Sequence, residues 1–155
     1  MPEKHAIIDI ATMASMSGLE YLQAMMRGEL PGMPIAKTLG FDVVEVEEGR
    51  TVFASIPRVD HYNAIGTVHA GYTATLLDSC MACAVLSTLP KGTGFTTMEF
   101  KVSLLRPMTK DTGLVRAEGT MLSRGRRGAT AEGRLTDGRG KLIAHATTTC
   151  LVFSF

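Results

Sequence analysis

Between Ala70 and Pro90 the chain carries one charged side chain, Asp78, and the next basic residue is Lys91. The rest of that run is mostly apolar and long enough for a helix of several turns. A helix that is apolar on all sides has to be buried on all sides. Whatever else this chain does, it must therefore wrap something around residues 70–90. A carboxylate inside such a helix costs free energy unless it is paired or hydrogen-bonded. Asp78 is thus either a core carboxylate satisfied by nearby Thr or Ser, or a reacting group. Its isolation makes it the leading candidate for chemistry.

The segments around the helix read as strands. FDVVEVEEGRTVFASIP, from Phe41 to Pro57, alternates about Glu48-Gly49-Arg50 and predicts two strands joined by a tight turn. Four more apolar blocks follow the helix, at Phe95–Leu105, Gly113–Ser123, Ala129–Thr136 and Lys141–Phe153. Turn-forming stretches separate them, among them Asp137-Gly-Arg-Gly140, a strong hairpin signal. Connections this short exclude parallel crossovers, so the sheet is expected to be antiparallel. One apolar helix and one antiparallel sheet predict an α+β fold, a strongly curved sheet wrapped around a long central helix. Before it comes an N-terminal helical lead (1–34). Ser17-Gly-Leu-Glu20 has the form of a capping box, with Leu19, Leu22, Met25 and Met26 at helical spacing behind it. A short helical turn is expected over Ile35–Leu39. The main domain is then 35–155, with the lead lying over its edge or end.

Composition removes several function classes. A net charge of +1 and the absence of Trp argue against a nucleic-acid surface. Three cysteines form an odd count with no secretory leader, which predicts reduced thiols and a cytoplasmic location. Cys80 and Cys83 have CxxC spacing, but they lie well inside the helix, away from the N-terminus that would favour a thiolate, so both are expected to be packing residues. Asp78 and several Thr and Ser weigh against a membrane span over 70–90. The four histidines, at 5, 61, 69 and 145, lack ligand spacing, and no Gly-x-Ser-x-Gly elbow is present. No metal or organic cofactor is implied.

The spacing within the central segment carries a further expectation. Asp78 follows His69 by nine residues, about 13 Å along a helix axis and half a turn around it. The amides at a helix N-terminus are natural stabilisers of an oxyanion. If both that N-terminus and Asp78 serve one reaction, one chain cannot bring them to one small pocket. A two-fold dimer interface, used twice, would supply each from a different subunit.

Asn63-x-x-Gly66-x-x-His69-x-Gly71 with Asp78 nine residues after the His, and the later TMEFKVSLLRP strand (Thr97–Pro107), resembles the hotdog-fold acyl-CoA thioesterases. The likeness is greatest to the PaaI-like, phenylacetic-acid-degradation branch of the 4-hydroxybenzoyl-CoA thioesterase superfamily, and it covers about residues 35–153. It implies that Asp78 is the nucleophile or general base and that Thr97 holds the attacking water. It implies that Asn63 and the Ala70 N–H polarise the thioester oxygen, and that His69 orients the helix start. Gly71 belongs to the same turn. The resemblance also implies a homodimer or a dimer-of-dimers tetramer, with Asn63 and the helix N-terminus from one subunit and Asp78 and Thr97 from the other. Many relatives read His-Gly-Gly, whereas this chain has His69-Ala70-Gly71, and the extra methyl can narrow the acyl pocket.

Arg124, Arg126 and Arg127, in the turn Ser123–Gly128, read either as a solvated hairpin or as a clamp on the phosphates of coenzyme A, with Arg106 as a further candidate. Tyr72, Met81, Phe95 and Met98 are candidates for tuning the acyl group, their orientation left open. Two other readings remain: another hotdog acyl-thioester enzyme such as a hydratase or dehydratase, and a non-catalytic acyl-CoA sensor.

Overall fold

A computed structural model describes residues 3–155. Three short helices lead the chain: α1 (Ile10–Ala14), α2 (Gly18–Met26) and α3 (Pro34–Leu39). Strands β1 (Phe41–Glu47) and β2 (Arg50–Ser55) come next, then the long helix α4 (Ala70–Leu86). Four strands complete the chain: β3 (Thr93–Leu104), β4 (Val115–Arg124), β5 (Gly128–Asp137) and β6 (Leu142–Ser154). All six strands form one antiparallel sheet in the order β1-β2-β4-β5-β6-β3. The sheet curls around α4 in a hotdog fold.

The packing follows from the apolar run. Eleven of the residues of α4 are buried, and they lie on all sides of it. β2, β4, β5, β6 and β3 all pack on the helix. Close approach depends on glycine. A Cβ at Gly119 in β4 would lie 2.2 Å from the Cys80 carbonyl oxygen, and one at Gly133 in β5 would meet the Met81 side chain at 2.9 Å. Thr51 of β2 is fully buried and donates its hydroxyl to the same Cys80 carbonyl at 2.8 Å, fixing the helix against the sheet.

The lead packs on this core. Ser17 caps α2, and Glu20 returns the bond to the Ser17 N–H, the capping box read from the sequence. Leu22 and Met25 are buried, and the Gly18 N–H donates to the carbonyl of Leu89, just past α4. Asp9, which interrupts the first apolar stretch, caps α1 by accepting from the Thr12 N–H at 2.8 Å. Among the described residues no helix is long and apolar enough to cross a membrane.

Gly119→Ala should push α4 off the sheet. We expect a loss of about 1–3 kcal/mol in urea unfolding, the usual cost of overpacking. Gly138→Ala, where the nearest atom lies at 3.7 Å, should cost little by the same measurement.

Candidate active site

Asp78 sits at the middle of α4, half-buried, and its Oδ1 accepts a hydrogen bond from the Thr97 hydroxyl at 3.0 Å. β3 delivers Thr97 at a break in its pairing with β6. The register shifts between Thr97 and Glu99, so Met98 is the extra residue of a bulge. Bulges re-aim side chains, and this one leaves Thr97 facing the helix while Met98 turns outward, 63% exposed. Burial raises the Asp78 carboxyl above its ordinary range, and the Thr97 hydrogen bond only partly opposes that. The result is a carboxylate with reduced hydration, one hydroxyl partner and a second oxygen free of protein donors among the described residues.

The start of α4 is built by the loop before it. His69 is the N-cap, and its Nδ1 accepts from the Gly71 N–H at 2.8 Å. That bond puts the ring proton on Nε2. The Tyr72 N–H is bonded to the His69 carbonyl. The Ala70 N–H has no partner among the described residues and lies on an exposed residue, as an oxyanion donor must. Asn63 organises the loop. Its Oδ1 accepts from the Ile65 and Thr67 N–H groups, and its Nδ2 donates to the Thr67 hydroxyl at 2.9 Å. One Nδ2 proton is committed in this way and one remains for a ligand.

The candidate residues fall in three places. Asn63, Ala70 and Arg106 line one cleft of about 280 Å³ with Leu104 and Leu105. Asp78 and Thr97 form a separate pair, eight residues farther along α4 than Ala70, which is ~12 Å of axial rise. Arg124, Arg126 and Arg127 line a cleft of about 480 Å³ at the other end of the sheet, beside Phe153 and Ser154. Arg124 there donates to the Thr88 carbonyl at 2.6 Å. Arg106 thus lies with the α4 N-terminus and apart from the arginine hairpin of its own chain. Cys80 and Cys83 are buried, and burial pushes the Cys83 thiol up to about 12, as suits packing residues. Of the acyl-tuning candidates, Met81 is in the core, Met98 faces outward, and Tyr72 is buried and bonded to the Ser55 hydroxyl. Phe95 lines a small apolar cavity.

Sequence reasoning passed over His61. Its ring is buried and stacked on Tyr72 at 4.2 Å between centroids, and its Nδ1 accepts from the Arg58 N–H at 3.0 Å. Its carbonyl accepts from the His69 N–H at 2.7 Å, which ties the loop closed just before the helix. Burial lowers its pKa, so the ring stays neutral near pH 7. The only available signal was a histidine two residues before Asn63, and spacing alone does not separate that from a surface histidine.

Comparison with known proteins agrees with the fold. A family model described as the thioesterase superfamily matches residues 65–144. A phenylacetic acid degradation-related protein from Ralstonia eutropha superposes with a TM-score of 0.76 at 33% identity, over 84% of this chain and 98% of that one. A mutant of the phenylacetic acid degradation protein PaaI from Thermus thermophilus does so with a TM-score of 0.69 at 29% identity, over 76% of this chain and 97% of that one. A Caenorhabditis elegans protein provisionally named an esterase is 40% identical over 65 residues. That stretch is 42% of this chain and spans 38% of the length of that relative.

The raised pKa of Asp78 has a consequence for stability. In the unfolded chain the group titrates in the ordinary carboxylate range; in the folded chain it holds its proton to higher pH. Between those two values the folded state binds more protons, so stability falls as pH rises through the window. Below the window both states are protonated and the penalty is absent; above it the penalty is complete. Asp78→Asn, which is never charged, should therefore resist urea better than wild type at pH 7. The advantage should fade as the pH falls through the window and be gone below the unfolded carboxylate range.

Proposed function

Because the chain belongs to the thioesterase superfamily, we propose that it hydrolyses an acyl-CoA to coenzyme A and a carboxylate at a site completed by two copies of itself. The observation that carries this reading is the half-buried Asp78, held by Thr97 on an otherwise apolar helix. In the proposed reaction the thioester oxygen of the substrate lies against the Ala70 N–H and the free Nδ2 proton of Asn63. Charge that develops on that oxygen as the carbonyl becomes tetrahedral meets donors already in place. Asp78 of the other copy faces the carbonyl carbon. As general base it takes a proton from a water held by Thr97 while the water oxygen attacks. Collapse of the tetrahedral intermediate breaks the C–S bond, and the coenzyme A thiolate leaves and is protonated. As nucleophile Asp78 would form an anhydride with the acyl group, which water then opens. Either route leaves Asp78 unchanged and needs no metal or organic cofactor.

Two features support a site shared between copies. The first is the ~12 Å between Ala70 and Asp78. The second is β3, which among the described residues pairs only with β6 and leaves its other edge open over 12 residues. Long open edges are usually blunted in monomers, yet this one carries exposed Met98, Phe100 and Leu104, with Leu105 just beyond. Antiparallel pairing of β3 with its own copy would cover that edge. It would also set the Leu104 end of one strand beside the Thr93 end of the other, so that Arg106 of one copy approaches the Arg124–Arg127 hairpin of the other. Four guanidinium groups then surround a path that suits the pyrophosphate and 3′-phosphate of coenzyme A. The same pairing permits a dimer or a dimer of dimers. Three free, buried cysteines support a reducing compartment, and hence a cytoplasmic location.

Free-thiol release should be measured for phenylacetyl-, hydroxybenzoyl- and straight-chain acyl-CoAs. Asp78→Asn is expected to lower turnover by about 10² or more. Retained acyl-CoA binding with no release by wild type would instead favour a sensor.

A shared site also predicts complementation. Asp78→Asn and Asn63→Ala subunits, each inactive as homodimers, should regain activity in a purified heterodimer, because one of its two sites is then wild type. A site contained in one chain would show no such rescue.

A further inference from the structure

The N-terminal lead does more than cover the end of the sheet. Between it and α4 lies an apolar cavity of about 130 Å³, lined by Met13, Met16, Tyr21, Leu86, Phe95 and Phe153 among others, with no charged side chain among the described residues of its wall. A cavity of roughly 150 Å³ with apolar walls stays dry and accepts a benzene ring. α1 buries no residue of its own, yet its Met13 reaches this wall.

The cavity is aligned with the Asp78–Thr97 pair. Phe95 precedes Thr97 by two residues on the same face of β3, ~7 Å along the strand. Leu86 follows Asp78 by eight residues, ~12 Å along α4, and helical side chains lean back toward the N-terminus.

Building on the hydrolase reading above, we infer that this cavity receives the far end of the acyl group and that the preferred substrates are medium-chain acyl-CoAs. The ~12 Å spanned by eight helical residues is the reach of an extended chain of about ten carbons. Its first carbons would pass Asp78, and its last few would fill the volume under α1 and α2. The two methionines contributed by the lead are unbranched and adaptable, so the end of the cavity accepts more than one terminal shape.

The test is a chain-length series from butyryl- to hexadecanoyl-CoA, scored as ratios of kcat/KM within each protein, so that loss of active protein cancels. Wild type should favour chains near decanoyl. Met16→Trp, which fills the cavity, should lower the decanoyl-to-butyryl ratio about tenfold or more, the order expected from steric loss of an apolar subsite. Met16→Ala, which enlarges it, should move the optimum to longer chains. Turnover with ratios unmoved in both variants would overturn the cavity assignment and leave the hydrolase reading intact. Absence of thiol release from every acyl-CoA by wild type would overturn both.

Discussion

A helix whose side chains are apolar on every side cannot lie on a flat surface. One face of a sheet covers one side of a cylinder, and the rest would stay wet. The sheet therefore has to curl, and glycine lets it curl tightly. At Gly119 the strand backbone comes so near the Cys80 carbonyl that no side chain fits between them. The price of that proximity is a helix whose carbonyls and side chains are held within narrow limits, with Thr51 donating into the contact. What the curled sheet leaves open is the C-terminal end of α4, and the N-terminal lead closes it through Leu22, Met25 and the bond from Gly18 to Leu89.

The same constraint explains why Asp78 is half-buried. It occupies the part of α4 nearest the edge strand β3, where the wrap is thinnest. There a carboxylate loses part of its hydration without losing all access. The bulge at Met98 matters here for a geometrical reason. Strict alternation would place Thr97 and Glu99 on one face of β3, and the register shift separates them. Thr97 then serves Asp78, while the Glu99 carbonyl is taken by the Thr148 hydroxyl at 2.7 Å. A rigid strand with one irregularity thus positions the hydroxyl, which is a stiffer arrangement than a loop would provide.

Much of this was legible in the sequence, and the parts that were not share a physical cause. The hairpin at Gly49, the four later strands, the capping box at Ser17 and the start of α4 at Ala70 are all local: neighbouring residues determine them, so neighbouring letters reveal them. α3 begins one residue before the expected turn, because Pro34 suits a first helical position. The neighbour of β3 was not legible, since β6 pairs with it across almost forty intervening residues. The bulge was equally silent, because Met98 keeps the alternation of the letters while breaking that of the backbone. His61 escaped for a related reason. Its importance lies in a ring stacked on Tyr72 and a carbonyl bonded to His69, contacts that only the closed loop creates.

The separation of the helix start from Asp78 is the feature that spacing anticipated best. Nine residues from His69 to Asp78 sufficed to separate the helix start from the carboxylate, and in the folded chain Asn63 and Ala70 do lie in one cleft without Asp78. What spacing did not anticipate is that Arg106 belongs to the same cleft, far from Arg124, Arg126 and Arg127. In a single chain that scatter makes little chemical sense: a donor pair with no carboxylate, a carboxylate with no oxyanion donor, and a basic hairpin remote from both. Each fragment lacks what another supplies, and the open edge of β3 lies between them. In the proposed dimer, a copy of the chain placed antiparallel on that edge would reverse the order of the fragments along the seam and would let each meet its complement.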